Sequence, residues 1–366
     1  MKRFFRQRLN LGNRAGPNHG EQGLKRLLIA STYLPPTPGG AEQVAWETAK
    51  RLVENYDVHI LTAGNDSTCE RDQITIHYIP PKRPYNLTYS TFYRNRVRTA
   101  YKSAAPDILH SHMALPWGFI FAKASCAKVV TCHGGDVYPK PKSPIRLLVN
   151  RALENADIVT APSRWIANYV REEYDISCRH LPNGVDTTIF KPHEGQVPNT
   201  NVVLYLGRGI ERKGIFEFFE AARALPNYEF WFVGLKHPSI RVPALPNLKV
   251  LGRVKDNVAC YNQASICVFP SHWENFPIVG LEAMACGKPI VATKLGFSEY
   301  VENGRDGLIV EPARPSELID SIRYLMENSD ERTRIGQNAR EKAMQYDWNI
   351  IMQQYEALYD GLPRAS

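Results

Sequence analysis

The chain has 366 residues, 43% hydrophobic and 22% charged, with a formal net charge of +8. That length exceeds one ordinary domain, and that composition excludes intrinsic disorder and predicts sizeable buried cores. The charge is unevenly divided: residues 1–190 carry 25 Lys and Arg against 16 Asp and Glu, and residues 191–366 carry 20 against 21, so a basic first half faces a neutral second half.

In chain order, residues 1–23 read as a flexible basic tail. Its opening Met1-Lys2-Arg3-Phe4-Phe5-Arg6 lacks the apolar run of a secretory signal. Short apolar runs then alternate with amphipathic segments. Strands are predicted at 26–31, 58–62, 74–79, 107–110, 128–132 and 158–161, with helices at 41–54, 90–104, 145–154 and 164–173. Residues 186–200, with Pro192, Gly195 and Pro198, read as a linker. A second set follows, with strands at 202–206, 229–233, 266–269, 289–293 and 307–310 and helices at 213–224, 278–285, 315–327 and 330–345. A last helix at 348–359 lies beyond the sheet pattern. Such alternation implies right-handed crossovers and parallel sheets. The expected architecture is α/β: a domain over 24–190 and another over 200–346, both doubly wound, their carboxyl-end crevices facing across a cleft. No tandem period of about 20–50 residues supports a solenoid, and the stretch 118–132 is too short and too charged to span a membrane.

The seven cysteines are irregularly spaced and include no Cys-x-x-Cys pair, which argues against a zinc or redox motif and for a reduced, cytoplasmic setting.

The densest chemistry lies in Ser271-His-Trp-Glu274-Asn275-Phe276-Pro277-Ile278-Val279-Gly-Leu-Glu282. It follows a strand and opens an apolar helix. Unpaired N–H groups at such a helix start suit a diphosphate, and Glu274 and Glu282 would bracket the ligand. Taken alone, Glu274 reads equally well as a helix cap. In Tyr205-Leu-Gly207-Arg208-Gly-Ile-Glu-Arg-Lys213-Gly214, Arg208 and Lys213 supply a planar fork and a point charge at a strand's carboxyl end. A solvated turn is the plain alternative, and the Walker A order is absent. Gly39-Gly40-Ala41-Glu42 permits close backbone approach without the glycine fingerprint of a dinucleotide site. His133-Gly134-Gly135-Asp136 places a histidine at a strand's carboxyl end. His110 and His112 are half of a metal site with no further ligands at zinc-like spacing, so cleft-lining or structural roles are expected.

These residues carry a resemblance. The Glu274 and Glu282 pair, Arg208 with Lys213, the Gly39-Gly40-Ala41-Glu42 loop, His133-Gly134 and Leu181-Pro-Asn183-Gly184-Val-Asp186 resemble, in family order, the retaining glycosyltransferases of family GT4 with the GT-B fold. The resemblance implies a nucleotide-diphosphate sugar as donor (UDP-, GDP- or ADP-linked), a glycan or lipid-linked acceptor, and no metal or other cofactor. It implies that Glu282 holds the ribose and that Arg208, Lys213 and the amides near Phe276, Ile278 and Val279 hold the diphosphate. Glu274 would lie at the transferred sugar, Asn275 among the donor-binding residues, His133 at the sugar's reactive face, Gly39 and Gly40 at the closing loop, and Val254 near the base. The catalytic set is then His133, Glu274, Arg208 and Lys213. Pro277 stands where many relatives have Gly and cannot donate an N–H. The last helix, over 348–361, is expected to cross back to the first domain.

The basic helix with Arg94, Arg96, Arg98 and Lys102, together with Lys140, Lys142 and Arg146, suits either an anionic membrane surface or a solvated face. No recognition motif supports nucleic acid. The rivals to a transferase are a sugar-nucleotide epimerase on the same fold and a silent nucleotide- or lipid-binding subunit.

Overall fold

The computed structural model describes residues 23–37, 39–65, 67–80, 91–139, 144–193 and 201–363. The basic tail before Gly23, Lys140, Lys142, the side chain of Arg94 and the end of the expected linker lie outside the described residues.

The first domain runs β1 (Lys25–Ala30), α1 (Gly40–Leu52), β2 (Tyr56–Ala63), β3 (Ser67–Arg71), β4 (Ile74–Ile79), α2 (Thr91–Ala104), β5 (Ile108–His112), β6 (Ala127–Thr131), α3 (Ile145–Glu154), β7 (Ile158–Ala161), α4 (Arg164–Tyr174) and β8 (Cys178–His180). Its sheet has the order β3-β4-β2-β1-β5-β6-β7-β8, parallel except for β3 against β4. The second runs β9 (Val202–Leu206), a 3₁₀ turn at Glu211–Lys213, α5 (Ile215–Ala224), β10 (Glu229–Val233), β11 (Leu248–Gly252), α6 (Asn257–Gln263), β12 (Ile266–Phe269), α7 (Ile278–Ala285), β13 (Ile290–Thr293), a single turn α8 (Lys294–Phe297), β14 (Leu308–Val310), α9 (Pro315–Glu327) and α10 (Ser329–Met344). Its all-parallel sheet has the order β11-β10-β9-β12-β13-β14.

The apolar runs became central strands because both faces are covered: β1 from Leu27 and all of β9 and β12 are buried. The elements that periodicity missed are edge or short ones. Every residue of β3 is exposed, and none of β11 is fully buried, so neither has a buried face to write an alternating pattern. β5 extends two residues past its predicted end and carries His110 and His112 on one face. The helix predicted from Lys213 starts later. Gly214, at φ +72°, ends the 3₁₀ turn, and a Cβ there would lie 2.0 Å from the Pro270 carbonyl oxygen.

The last helix, α11 (Trp348–Asp360), packs on the first domain. Trp348, Ile351, Tyr355, Leu358 and Tyr359 share a buried cluster with Leu27, Val58 and Ile108. A Cβ at Gly184 would come within 2.5 Å of the Trp348 ring, so only glycine fits where the segment after β8 passes under this helix. Among the described residues no helix is long and apolar enough to cross a membrane.

Candidate active site

In each sheet the strand order reverses at one point, between β1 and β5 and between β9 and β12. The loops leaving the carboxyl ends there carry most of the chemistry-bearing motifs, as the rule for open α/β sheets requires.

On the second-domain wall, the Lys213 ammonium pairs with the Glu274 carboxylate, and the Ser271 hydroxyl donates to the same oxygen at 2.9 Å. Glu274 is 8% exposed. Burial holds the Lys213 ammonium below its ordinary range against the opposing pull of Glu274. The Tyr205 hydroxyl lies 2.9 and 3.1 Å from the carbonyls of Arg208 and Lys213 and so anchors the loop that presents both cations. Arg208 is exposed, and its side chain makes no hydrogen bond or ion pair with a described residue.

Glu274 does not cap α7. The cap position is Pro277, with no side-chain capping bond, and Gly280 N–H donates to its carbonyl at 3.3 Å. The N–H groups of Ile278 and Val279 have no partner within the helix. Glu282, one turn further in, accepts the Tyr261 hydroxyl at 2.9 Å. Burial raises its carboxyl to about 7, opposed by the Tyr261 bond and helped by the Glu47 carboxylate of the facing domain.

The first-domain wall is built differently. Glu42 folds back over its own loop, so that a Cβ on Gly39 would lie 1.9 Å from its Oε2, whereas a Cβ on Gly40 would meet nothing within 4 Å. Burial raises the Glu42 carboxyl, while a backbone hydrogen bond and the Arg208 guanidinium across the cleft act to lower it. His133 follows β6, its Nε2 2.9 Å from Nδ1 of His112, and burial lowers its imidazole to about 4.

The family model for glycosyl transferases group 1 matches residues 186–342, and that for glycosyltransferase family 4 matches residues 38–189. A D-inositol 3-phosphate glycosyltransferase of Corynebacterium jeikeium is 37% identical over 316 residues, 71% of this chain and 73% of its own. The chain belongs to the group 1 glycosyltransferases of family 4. An uncharacterized glycosyltransferase of Methanocaldococcus jannaschii is 28% identical over 353 residues, covering 93% of this chain and 99% of its own. The solved structure of HepE from Anabaena in complex with UDP superimposes with a TM-score of 0.77 at 22% identity, covering 93% and 100% of the two chains. The fold is GT-B.

Some of this glycosyltransferase's expected site residues are committed elsewhere. Asn275 ties the domains together, accepting from the Ser163 hydroxyl and donating to the Cys132 carbonyl at 3.4 Å. The Phe276 ring packs on Tyr300 and Tyr346, and its carbonyl accepts from Asn183 at 3.0 Å, which leaves only its amide for a ligand. Val254 packs against the second-domain core beside Arg253, whose guanidinium reaches the Pro36 carbonyl across the cleft at 2.5 Å. His110 and His112 are buried within the first domain, and no third ligand joins them among the described residues.

Two contributors were missed in the sequence. Gly296, at φ +89°, packs its backbone on Glu274; a Cβ there would lie 2.6 Å from the Glu274 carbonyl oxygen. Glu47 faces Glu282 from α1. A glycine in Lys-Leu-Gly-Phe and a glutamate mid-helix carry no local signal, because their partners are 22 and 235 residues away.

Proposed function

We propose that this glycosyltransferase transfers a sugar with retention at the anomeric carbon, from a nucleotide-diphosphate sugar to a glycan or lipid-linked acceptor, without a divalent metal. The observation that carries this reading is the buried Lys213–Glu274 pair, on the same second-domain switch-point loops as the exposed Arg208 and the amino end of α7. Two cations, a helix amino end and a carboxylate thus share one switch point.

In this reading Arg208, Lys213 and the Ile278 and Val279 amides stabilise the charge that builds on the departing diphosphate. Lys213 and the two amides, held in place beforehand, need little reorganisation during the reaction. Glu282 accepts the ribose hydroxyls. Glu274, whose position is set by Lys213 and Ser271, accepts hydroxyls of the transferred sugar, and His133 approaches it from the facing wall. The leaving phosphate assists deprotonation of the acceptor on the same face, so no protein nucleophile takes part. Closure of the two domains limits hydrolysis of the donor. The seven free cysteines suit a reducing, cytoplasmic setting. A peripheral position on an anionic membrane is supported by Arg96, Arg98 and Lys102, all exposed on α2; flotation with anionic vesicles but not neutral ones tests it.

The Anabaena neighbour holds UDP, so UDP-sugars are the first donors to try. A panel of UDP-, GDP- and ADP-sugars, ranked by thermal shift and then by slow hydrolysis, identifies the donor. The anomeric coupling of the product, read by proton NMR, then decides stereochemistry. Product of inverted configuration would overturn the mechanism, and silence across the whole panel would overturn the donor class.

A further inference from the structure

Three histidines lie side by side beneath the first-domain wall. His110 and His112 have ring centroids 4.5 Å apart, and His112 stacks on His133 at 5.1 Å. His110 is fully satisfied, its Nδ1 2.6 Å from the Tyr359 hydroxyl of α11 and its Nε2 2.7 Å from Thr131 Oγ1. His112 is 1% exposed; its Nδ1 meets His133 Nε2 at 2.9 Å, and its Nε2 is buried with no hydrogen-bond partner among the described residues. His133 is half-buried, and its Nδ1 bonds to no described residue. Burial lowers all three imidazoles, His110 to about 3 and His112 well below its ordinary value, so the group is neutral near pH 7.

One proton therefore sits on each ring, and one hydrogen bond joins His112 to His133. If His112 carried its proton on Nε2, that N–H would be a buried donor without an acceptor, which costs about 1–3 kcal/mol. With the proton on Nδ1, the buried Nε2 is a bare acceptor, and among buried backbone groups native structures tolerate an unfilled acceptor more often than an orphaned N–H. We infer that His112 is a positioning residue: it donates Nδ1–H to His133 Nε2 and so leaves the proton of His133 on Nδ1, presenting a hydrogen-bond donor, not a base, to whatever occupies the cleft. This rests on the reading of the cleft as a sugar-transfer site and sharpens it. A donor at that position suits an oxygen of the sugar or of the leaving group, and the acceptor hydroxyl's proton goes elsewhere.

The tautomers can be read directly in the enzyme without substrate, by long-range proton–nitrogen NMR on protein labelled with ¹⁵N-histidine and assigned with His112→Asn and His133→Gln variants. The expected result is protonated Nδ1 and bare Nε2 on both His112 and His133. A protonated Nε2 on His133 overturns the inference by itself, whether or not any variant folds. The kinetic arm uses His112→Asn, whose amide nitrogen overlays the imidazole Nδ1, and His112→Leu, which has no donor. Asn should keep the His133 tautomer and most of the turnover. Leu should shift His133 toward Nε2–H and lower kcat about tenfold or more, with nucleotide Kd unchanged. Equal losses in Asn and Leu, with the His133 tautomer unmoved, would overturn it. If the unaltered enzyme transferred no sugar from any nucleotide donor, the functional reading would fail while the NMR result still decided the pairing.

Discussion

The two walls of the cleft are assembled by opposite means. The second-domain wall is nearly self-contained: Lys213, Ser271, Glu274, Tyr205 and Gly296 support one another within a single domain. The first-domain wall is held from outside its own motif, with His133 backed by His112 on the neighbouring strand and Gly134 at φ +99° set against Asn275 of the other domain. A wall that braces itself keeps the Lys213–Glu274 pair in place without help from the other domain. A wall braced by its partner is complete only when the domains meet, which suits a site that admits one substrate before the other.

The largest effect that would break this contrast is expected from the two cations. Arg208→Ala and Lys213→Ala should each lower turnover by about 10²–10³-fold, as for loss of one preorganised donor. Their stabilities should differ. Arg208 is exposed, so its loss should leave Tm unchanged. Lys213→Ala strands the buried Glu274 carboxylate and should cost about 3–5 kcal/mol. Equal melting temperatures for the two variants would show that the wall does not brace itself.

Next is Gly296→Ala. It needs a positive φ and space that the Glu274 backbone already fills, so it should reduce kcat about tenfold or more by displacing Glu274, a change comparable to loss of a positioned contact. Steady-state kinetics with wild-type rates would remove Gly296 from the site.

Glu282 gives a pH signature. Its folded value of about 7 lies above the ordinary carboxylate value of 4.5, so the native state binds more protons between those limits. Stability therefore falls as pH rises from 4.5 to 7 and levels off above it. Ribose hydroxyls need the ionised form, so nucleotide-sugar affinity should weaken up to about tenfold per unit as pH falls below 7. Titration calorimetry on Glu282→Gln should find weaker binding without that slope.

The smallest effect is expected at Gly40. A methyl there meets no protein atom within 4 Å, and Ala is the better helix former. Gly40→Ala should leave Tm unchanged or slightly raised and yet weaken donor binding by a few-fold, about 1 kcal/mol, by the overpacking it introduces once the cleft is filled. Unchanged donor affinity would mean that this loop does not close on the ligand.

Much of this was legible in the chain itself. Buried parallel strands are continuous apolar runs, and the Arg208–Lys213 and Glu274–Glu282 segments lie within strand-to-helix loops whose spacing is local. The resemblance to a family of known fold came from those same short-range motifs. What no local pattern could carry was anything exposed on both faces, such as β3, or anything defined by a distant partner. His112 behind His133, Glu47 opposite Glu282, Gly296 under Glu274 and Gly184 under Trp348 are pairings across 21 to 235 residues. Hydrophobic periodicity and loop chemistry are written along the chain because each element must bury its own face. Tautomers, shifted carboxyls and the space for a methyl group depend on what desolvates each atom, and only the folded molecule decides that.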